Sequence, residues 1–276
     1  MAVILEGGCR VSEMYEGDVI VNGTARIWNH IGRATGAHAI SLRVMEFAPG
    51  LSPAIQNGDC DEILYVLDLP RDNARTDRDE VSTTRVSGWC HLLIDDVAHA
   101  VGPDTGIYIR PRQAFAVDNA GSSPIVIISS QCPDPNLPPT FVDRVAASSE
   151  SSACNPAPIV RLADQKAQPT ADRWYRVLVD DEIGSERVTQ FVGSIPPGRA
   201  PDHFHNYEEA LFILKGEGRM RAGESNTSIA AGSCIYLPKG QVHCVENTGV
   251  GELRLLGVFY PAGSPSVRYD VSEARP

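Results

Sequence analysis

The chain has 276 residues, 42% of them hydrophobic, and 24 Lys+Arg against 35 Asp+Glu give it a net charge of -11. That length accommodates two domains or one large one, and the acidic balance disfavours nucleic acid and anionic membranes as partners. No apolar run approaches the roughly 18 residues that cross a bilayer, and the seven scattered cysteines form no Cys-x-x-Cys pair, which suits reduced thiols in the cytoplasm.

The N-terminus is apolar for only four residues after Met1, lacks the basic region of a signal peptide and is strand-like. Beyond it, short apolar runs are separated by Gly, Pro, Asn and Asp, which is the pattern of an all-β sandwich or barrel. Strands are expected at 39–47, 62–67, 106–110, 125–130, 174–179, 187–195, 210–214, 233–237 and 253–260. Residues 71–84 hold seven charges and read as a solvated loop. Residues 145–172 are small, polar and weakly patterned, as in a linker with room for a short helix. The expected organisation is therefore a domain at 1–150, a linker at 151–170 and a domain at 171–276.

The two halves echo one another. Each has a Pro-Gly after a strand (Pro49-Gly50 and Pro197-Gly198). Each then has an acidic pair opening an apolar run (Asp61-Glu62 and Glu208-Glu209). Each ends on a Gly, Pro, Asn series: Gly106, Pro111, Asn119 and Gly232, Pro238, Asn247. Matching order and spacing indicate an internal duplication of one β domain.

Three of the seven histidines fall in the second half, at His203, His205 and His243, with carboxylates between them. Imidazole and carboxylate are the donors that hold a mononuclear divalent metal. In a strand His203 and His205 share a face. Glu209 has the same parity, but six extended residues would carry it roughly 20 Å away. The chain must turn within Asn206-Tyr207-Glu208 and return. Glu208 competes as the carboxylate. Glu209 is favoured because Glu62 also directly precedes its apolar run. His243 follows the Pro238-Lys239-Gly240 turn on a separate strand. Cys244 would point to the opposite face. His30, His38, His91 and His99 have no partner at useful spacing and read as structural or surface residues.

At these residues a resemblance emerges. Gly198-x4-His203-x-His205-x3-Glu209-x6-Gly216 and Gly232-x5-Pro238-x-Gly240-x2-His243-x3-Asn247 resemble the two signature motifs of the cupin superfamily. The resemblance spans roughly residues 170–265. It implies an all-β fold of two jelly-roll barrels, with His203, His205, Glu209 and His243 holding one divalent transition metal (Fe, Mn, Ni, Co or Zn) inside the second. The first half is similar but departs at the ligand positions, where Ile55, Asn57 and Phe115 or Ala116 stand. Only Glu62 survives, so the first barrel is expected to lack a metal.

Such a centre keeps open positions for water, O2 or a bidentate substrate. The expected pocket residues are Gln190, Phe191, Leu211, Ile213, Met220, Tyr236 and Tyr260, suited to a small organic substrate. Arg219 and Arg221 are read as pointing outward, and Tyr207 and Glu208 as solvated turn residues. The superfamily resemblance puts a dioxygenase first. A non-redox decarboxylase, isomerase or hydrolase, similar in layout to ureidoglycine aminohydrolases, is the alternative, and a non-catalytic binding or storage protein comes third. Two-barrel cupins self-associate, often by exchanging N-terminal strands, so a homodimer or higher homo-oligomer is expected.

Overall fold

The computed structural model describes residues 1–67, 90–95, 97–142, 158–170, 172–266 and 269–270. The charged run at 71–84, Cys154 and the first part of the 151–170 connection lie outside the described residues.

Every apolar run read from the sequence overlaps a strand. The reason is local: Val, Ile, Leu and aromatic residues fill the runs, and Gly, Pro, Asn and Asp break them. Each barrel is made of one large and one small sheet, joined by antiparallel pairings. The first large sheet orders its strands Ile159–Arg161, Thr105–Ile109, Asp61–Val66, Ile125–Cys132, Leu42–Phe47, Ala25–Ile31 and Val19–Asn22. The second orders Val3–Ile4, Arg10–Glu13, Ser233–Leu237, Glu208–Lys215, Leu253–Tyr260, Thr189–Ile195, Arg173–Val179 and Gln168–Thr170. The small sheet of the second barrel contains Glu217–Ala222, His243–Asn247 and His203–Phe204.

Among the described residues three large apolar cores and a small alanine cluster result. One fills the first barrel around Phe47, Leu64, Ile107 and Phe115. Another fills the second around Leu211, Ile213, Met220 and Phe259. The third lies between the two large sheets, where Tyr65, Tyr108 and Val126 meet Phe212, Tyr236 and Leu256. The central strands of the large sheets are thus buried on both faces. In Glu208–Lys215, Leu211 and Ile213 enter the barrel while Ala210 and Phe212 enter the junction. A strand with no solvated face shows an unbroken apolar run, as Ala210-Leu211-Phe212-Ile213 does.

The expected division at 1–150, 151–170 and 171–276 is corrected by the sheets. Arg10–Glu13 pairs with Ser233–Leu237 and so belongs to the second barrel. Ile159–Arg161, placed in the linker, pairs with Thr105–Ile109 and belongs to the first. The short helix foreseen for the linker is a 3-10 turn at Leu162–Asp164 that buries Leu162. This crossing pairs backbone donors and acceptors that the edges of both large sheets would otherwise expose. The strand-like N-terminal segment forms Val3–Ile4, which pairs with Arg10–Glu13, and through the latter joins the second large sheet. Among the described residues no helix is long and apolar enough to cross a membrane.

Candidate metal centre

His203 and His243 are register partners across the small sheet of the second barrel. Facing positions on neighbouring strands bring side chains together, and their ring centroids lie 4.5 Å apart. His205 stands beyond the end of the His203–Phe204 strand, with its ring 5.0 Å from His203 and 5.2 Å from His243. Ligand nitrogens of the three rings all lie within 4.8 Å of one another. Nitrogens about 2.1 Å from a shared ion are separated by at most about 4.2 Å, so a small inward adjustment closes the set. The turn before His243 is pinned to the site, since the Gly240 N–H donates to the His205 carbonyl at 2.8 Å.

Two of the rings are oriented by the backbone. His203 Nδ1 lies 3.1 Å from the Pro201 carbonyl and His243 Nδ1 2.8 Å from the Gln241 carbonyl. A carbonyl only accepts, so Nδ1 carries the proton and Nε2 keeps its lone pair for an ion. Burial, helped by the neighbouring His203, pushes the His243 pKa down to about 3. The ring is therefore neutral at ordinary pH, the form in which an imidazole can accept a metal ion.

Glu209 comes from the large sheet, after the required turn. Its Oε2 lies 3.6 Å from His205 Nε2, one step outside the mutual set of three rings. Burial pushes its pKa up to about 8. A buried carboxyl whose ionised form lacks a sufficient counter-charge fits a site meant for a cation. The donor set of three imidazoles and one carboxylate therefore suits a divalent transition metal.

Glu208 faces the other way. Its carboxylate accepts the Tyr236 O–H at 2.9 Å and the backbone N–H groups of His38 and Ala39 at 3.0 and 2.7 Å. It is buried, which corrects the reading of a solvated turn residue. Tyr207 is not a free turn residue either: it stacks between His205 and Phe259, with centroids at 4.8 and 4.6 Å.

A cavity of about 120 Å³ opens beside the three rings and Glu209. Of the expected pocket residues, Phe191 and Leu211 line it. Ile213 and Met220 lie in the barrel core without reaching the cavity. Gln190, Tyr236 and Tyr260 are corrected. They sit on the junction side of their strands, where Gln190 Nε2 donates to the Leu64 carbonyl at 3.4 Å and Tyr236 and Tyr260 pack in the junction core. Strand alternation explains this, because Gln190 and Phe191 are consecutive and must face opposite ways. Arg173, Trp174, Tyr175, Val245 and Leu255 also line it and were not foreseen. Their signal was available in strand adjacency: Tyr175 lies opposite Gly193, which carries no side chain to fill the space. Arg219 and Arg221 point away, bonded to Asn226 and Glu246. Cys244 also turns away, toward the Ala200 carbonyl.

In the first barrel the corresponding positions are filled differently. Phe115 is fully buried in the core. Glu62 accepts from Ser129 Oγ at 2.6 Å and Gln131 Nε2 at 3.3 Å. Asn57 donates to the Cys60 carbonyl at 2.7 Å and accepts from the same Gln131 amide.

Comparison with known proteins agrees with this architecture. A family profile described as Cupin domain matches residues 191–259. Auxin-binding protein 1 of Arabidopsis thaliana is 28% identical over 161 residues, which is 52% of this chain and 78% of that protein. The oxalate-binding protein of Thermotoga maritima is 36% identical over 67 residues, 24% of this chain and 55% of its own length. Among solved structures, Lactobacillus farciminis oxalate decarboxylase in a formate complex superposes with a TM-score of 0.70 at 11% identity. The match covers 95% of this chain and 88% of that one. Bacillus subtilis oxalate decarboxylase, described for its Mn(II) centres, gives 0.70 at 12% identity, covering 95% and 79%.

Proposed function

From the premise that this chain is a two-barrel member of the cupin superfamily, we propose that it is a metal-dependent decarboxylase acting on a small carboxylate. The observation that carries this reading is the placement of Arg173 in the same small cavity as the three imidazoles and Glu209. It is the one arginine or lysine among the described residues that line the cavity. A divalent ion held by His203, His205, Glu209 and His243 would supply Lewis acidity at open positions.

The remaining chemistry belongs to the chain. Arg173 Nε is paired with Asp172 at 2.9 Å, and its terminal nitrogens present donors to a carboxylate. Phe191, Leu211, Val245 and Leu255 line the same cavity with apolar surface. A dry wall strengthens each charge-assisted bond to the substrate. Loss of CO2 is redox-neutral overall: the carbon–carbon bond breaks, its electron pair stays on the remaining carbon, and a proton replaces CO2. The cavity volume favours a substrate of a few heavy atoms. The decarboxylases among the named structural relatives support this reading, and it takes the place of the dioxygenase that the superfamily resemblance put first.

The test is CO2 release from oxalate and other small carboxylates after loading with Mn(II), then with Fe, Co, Ni and Zn. The expected result is release with at least one substrate, abolished in His203→Ala and strongly reduced in Arg173→Gln. A second reading, binding of a small carboxylate without turnover, is supported by the two relatives named for binding. Saturable binding that requires Arg173, with no CO2 from any substrate and metal, would establish it instead.

A further inference from the structure

A second cleft lies on the junction side of the strand that carries Glu209. Its volume is about 400 Å³. It is walled by the N-terminal segment around Arg10, by His38 of the first barrel, and by Glu208, Tyr236 and Lys239 of the second. Strand alternation sets its chemistry. Val11 enters the core of the second barrel, so Arg10 points to the junction side. There it faces its register partner Tyr236.

Arg10 is half-buried, and its Nε is shielded from solvent with no hydrogen-bond partner among the described residues. Neither Arg10 nor Lys239 has an ion pair among the described residues. Glu208 lines the same cleft but makes no ion pair with either of them, its carboxylate being turned to the Tyr236 O–H and the N–H groups of His38 and Ala39. Two uncommitted cations therefore share one cleft in a chain whose net charge is -11. A partly desolvated guanidinium is stabilised by an anion that reaches its fork.

We propose that this cleft binds a small oxyanion, a phosphate or a carboxylate, between Arg10 and Lys239. The site is separate from the metal centre and does not depend on the reaction proposed above. It nevertheless adjoins that centre. Lys239 sits in the turn whose next residue, Gly240, bonds the His205 carbonyl, and the same turn leads to His243.

Calorimetric titration of the full chain at low salt, with inorganic phosphate in one arm and malonate in the other, tests this. Saturable binding of at least one anion is expected, and the arm that binds names the class. Affinity should fall about tenfold in Arg10→Gln and in Lys239→Gln, as for the loss of one charged hydrogen bond. It should stay unchanged in His203→Ala. Lys239 is exposed on a turn, so its variant reports on the cleft even if the Arg10 variant is unstable. Absence of binding in both arms overturns the proposal. So does affinity that survives Lys239→Gln, or affinity lost in His203→Ala, which would place the anion at the metal centre.

Discussion

Glu62 and Glu209 occupy matching places in the two large sheets, each the second residue of a central strand and each turned into its own barrel. Their surroundings give them opposite fates. Glu209 faces imidazoles, whereas Glu62 faces a hydroxyl and an amide that satisfy it without a metal. Burial raises the pKa of Glu62 above 4.5, with Arg43, Ser129 and Gln131 opposing the shift. The folded chain therefore binds this proton more tightly than the unfolded chain does. Its contribution to stability is fully present below about pH 4.5 and is lost as pH rises through the raised folded-state value. In Glu62→Gln that dependence disappears. Thermal melts at pH 5 and pH 8 should show a smaller drop for the variant than for the parent. An identical drop in both would contradict the role given to Glu62.

At the scale of the element, close approach between strands shapes the pocket. Gly257 lies opposite Phe191 in the large sheet, and a Cβ there would stand 2.3 Å from the Phe191 ring. The glycine makes room for the aromatic wall of the metal pocket. Gly257→Ala should cost about 1–3 kcal/mol through overpacking and displace Phe191. A lowered denaturation midpoint and a weakened carboxylate affinity are expected, and parental values for both would refute the packing argument. The same element shows what sequence reading could and could not reach. Apolar runs, turn residues and the doubled motif made the strands and the histidine set legible, because each depends on neighbours in sequence. Glu209 was separable from Glu208 by comparing the halves. The pocket wall was legible only in part. Taking both Gln190 and Phe191 ignored alternation, and a strand buried on both faces gives no hydrophobic contrast to say which side is inward. Arg10–Glu13 was missed as a strand because four residues carry little periodicity and their partner lies far along the chain.

Across the whole molecule, each acidic pair sends one carboxylate into its barrel and the other across the junction. Asp61 accepts the Tyr108 O–H at 2.6 Å and pairs with Arg187 of the second barrel at 2.8 Å. Glu208 accepts the Tyr236 O–H and holds the backbone at His38 and Ala39 of the first. Removing either leaves buried donors without an acceptor, so Asp61→Ala and Glu208→Ala should each cost about 2–4 kcal/mol in denaturant unfolding. Losses within about 0.5 kcal/mol, the scatter of an ordinary surface change, would show that these clamps do not hold the barrels together. The junction thereby braces the strand that presents Glu209, while the first barrel keeps a satisfied polar cluster at the corresponding position. The most direct test of this division of labour is metal analysis of the purified chain and its variants after loading and desalting. The account predicts close to stoichiometric metal in the parent and in Glu62→Gln, with near-complete loss in His203→Ala and His243→Ala. Metal retained in both histidine variants, or lost in Glu62→Gln, would contradict it.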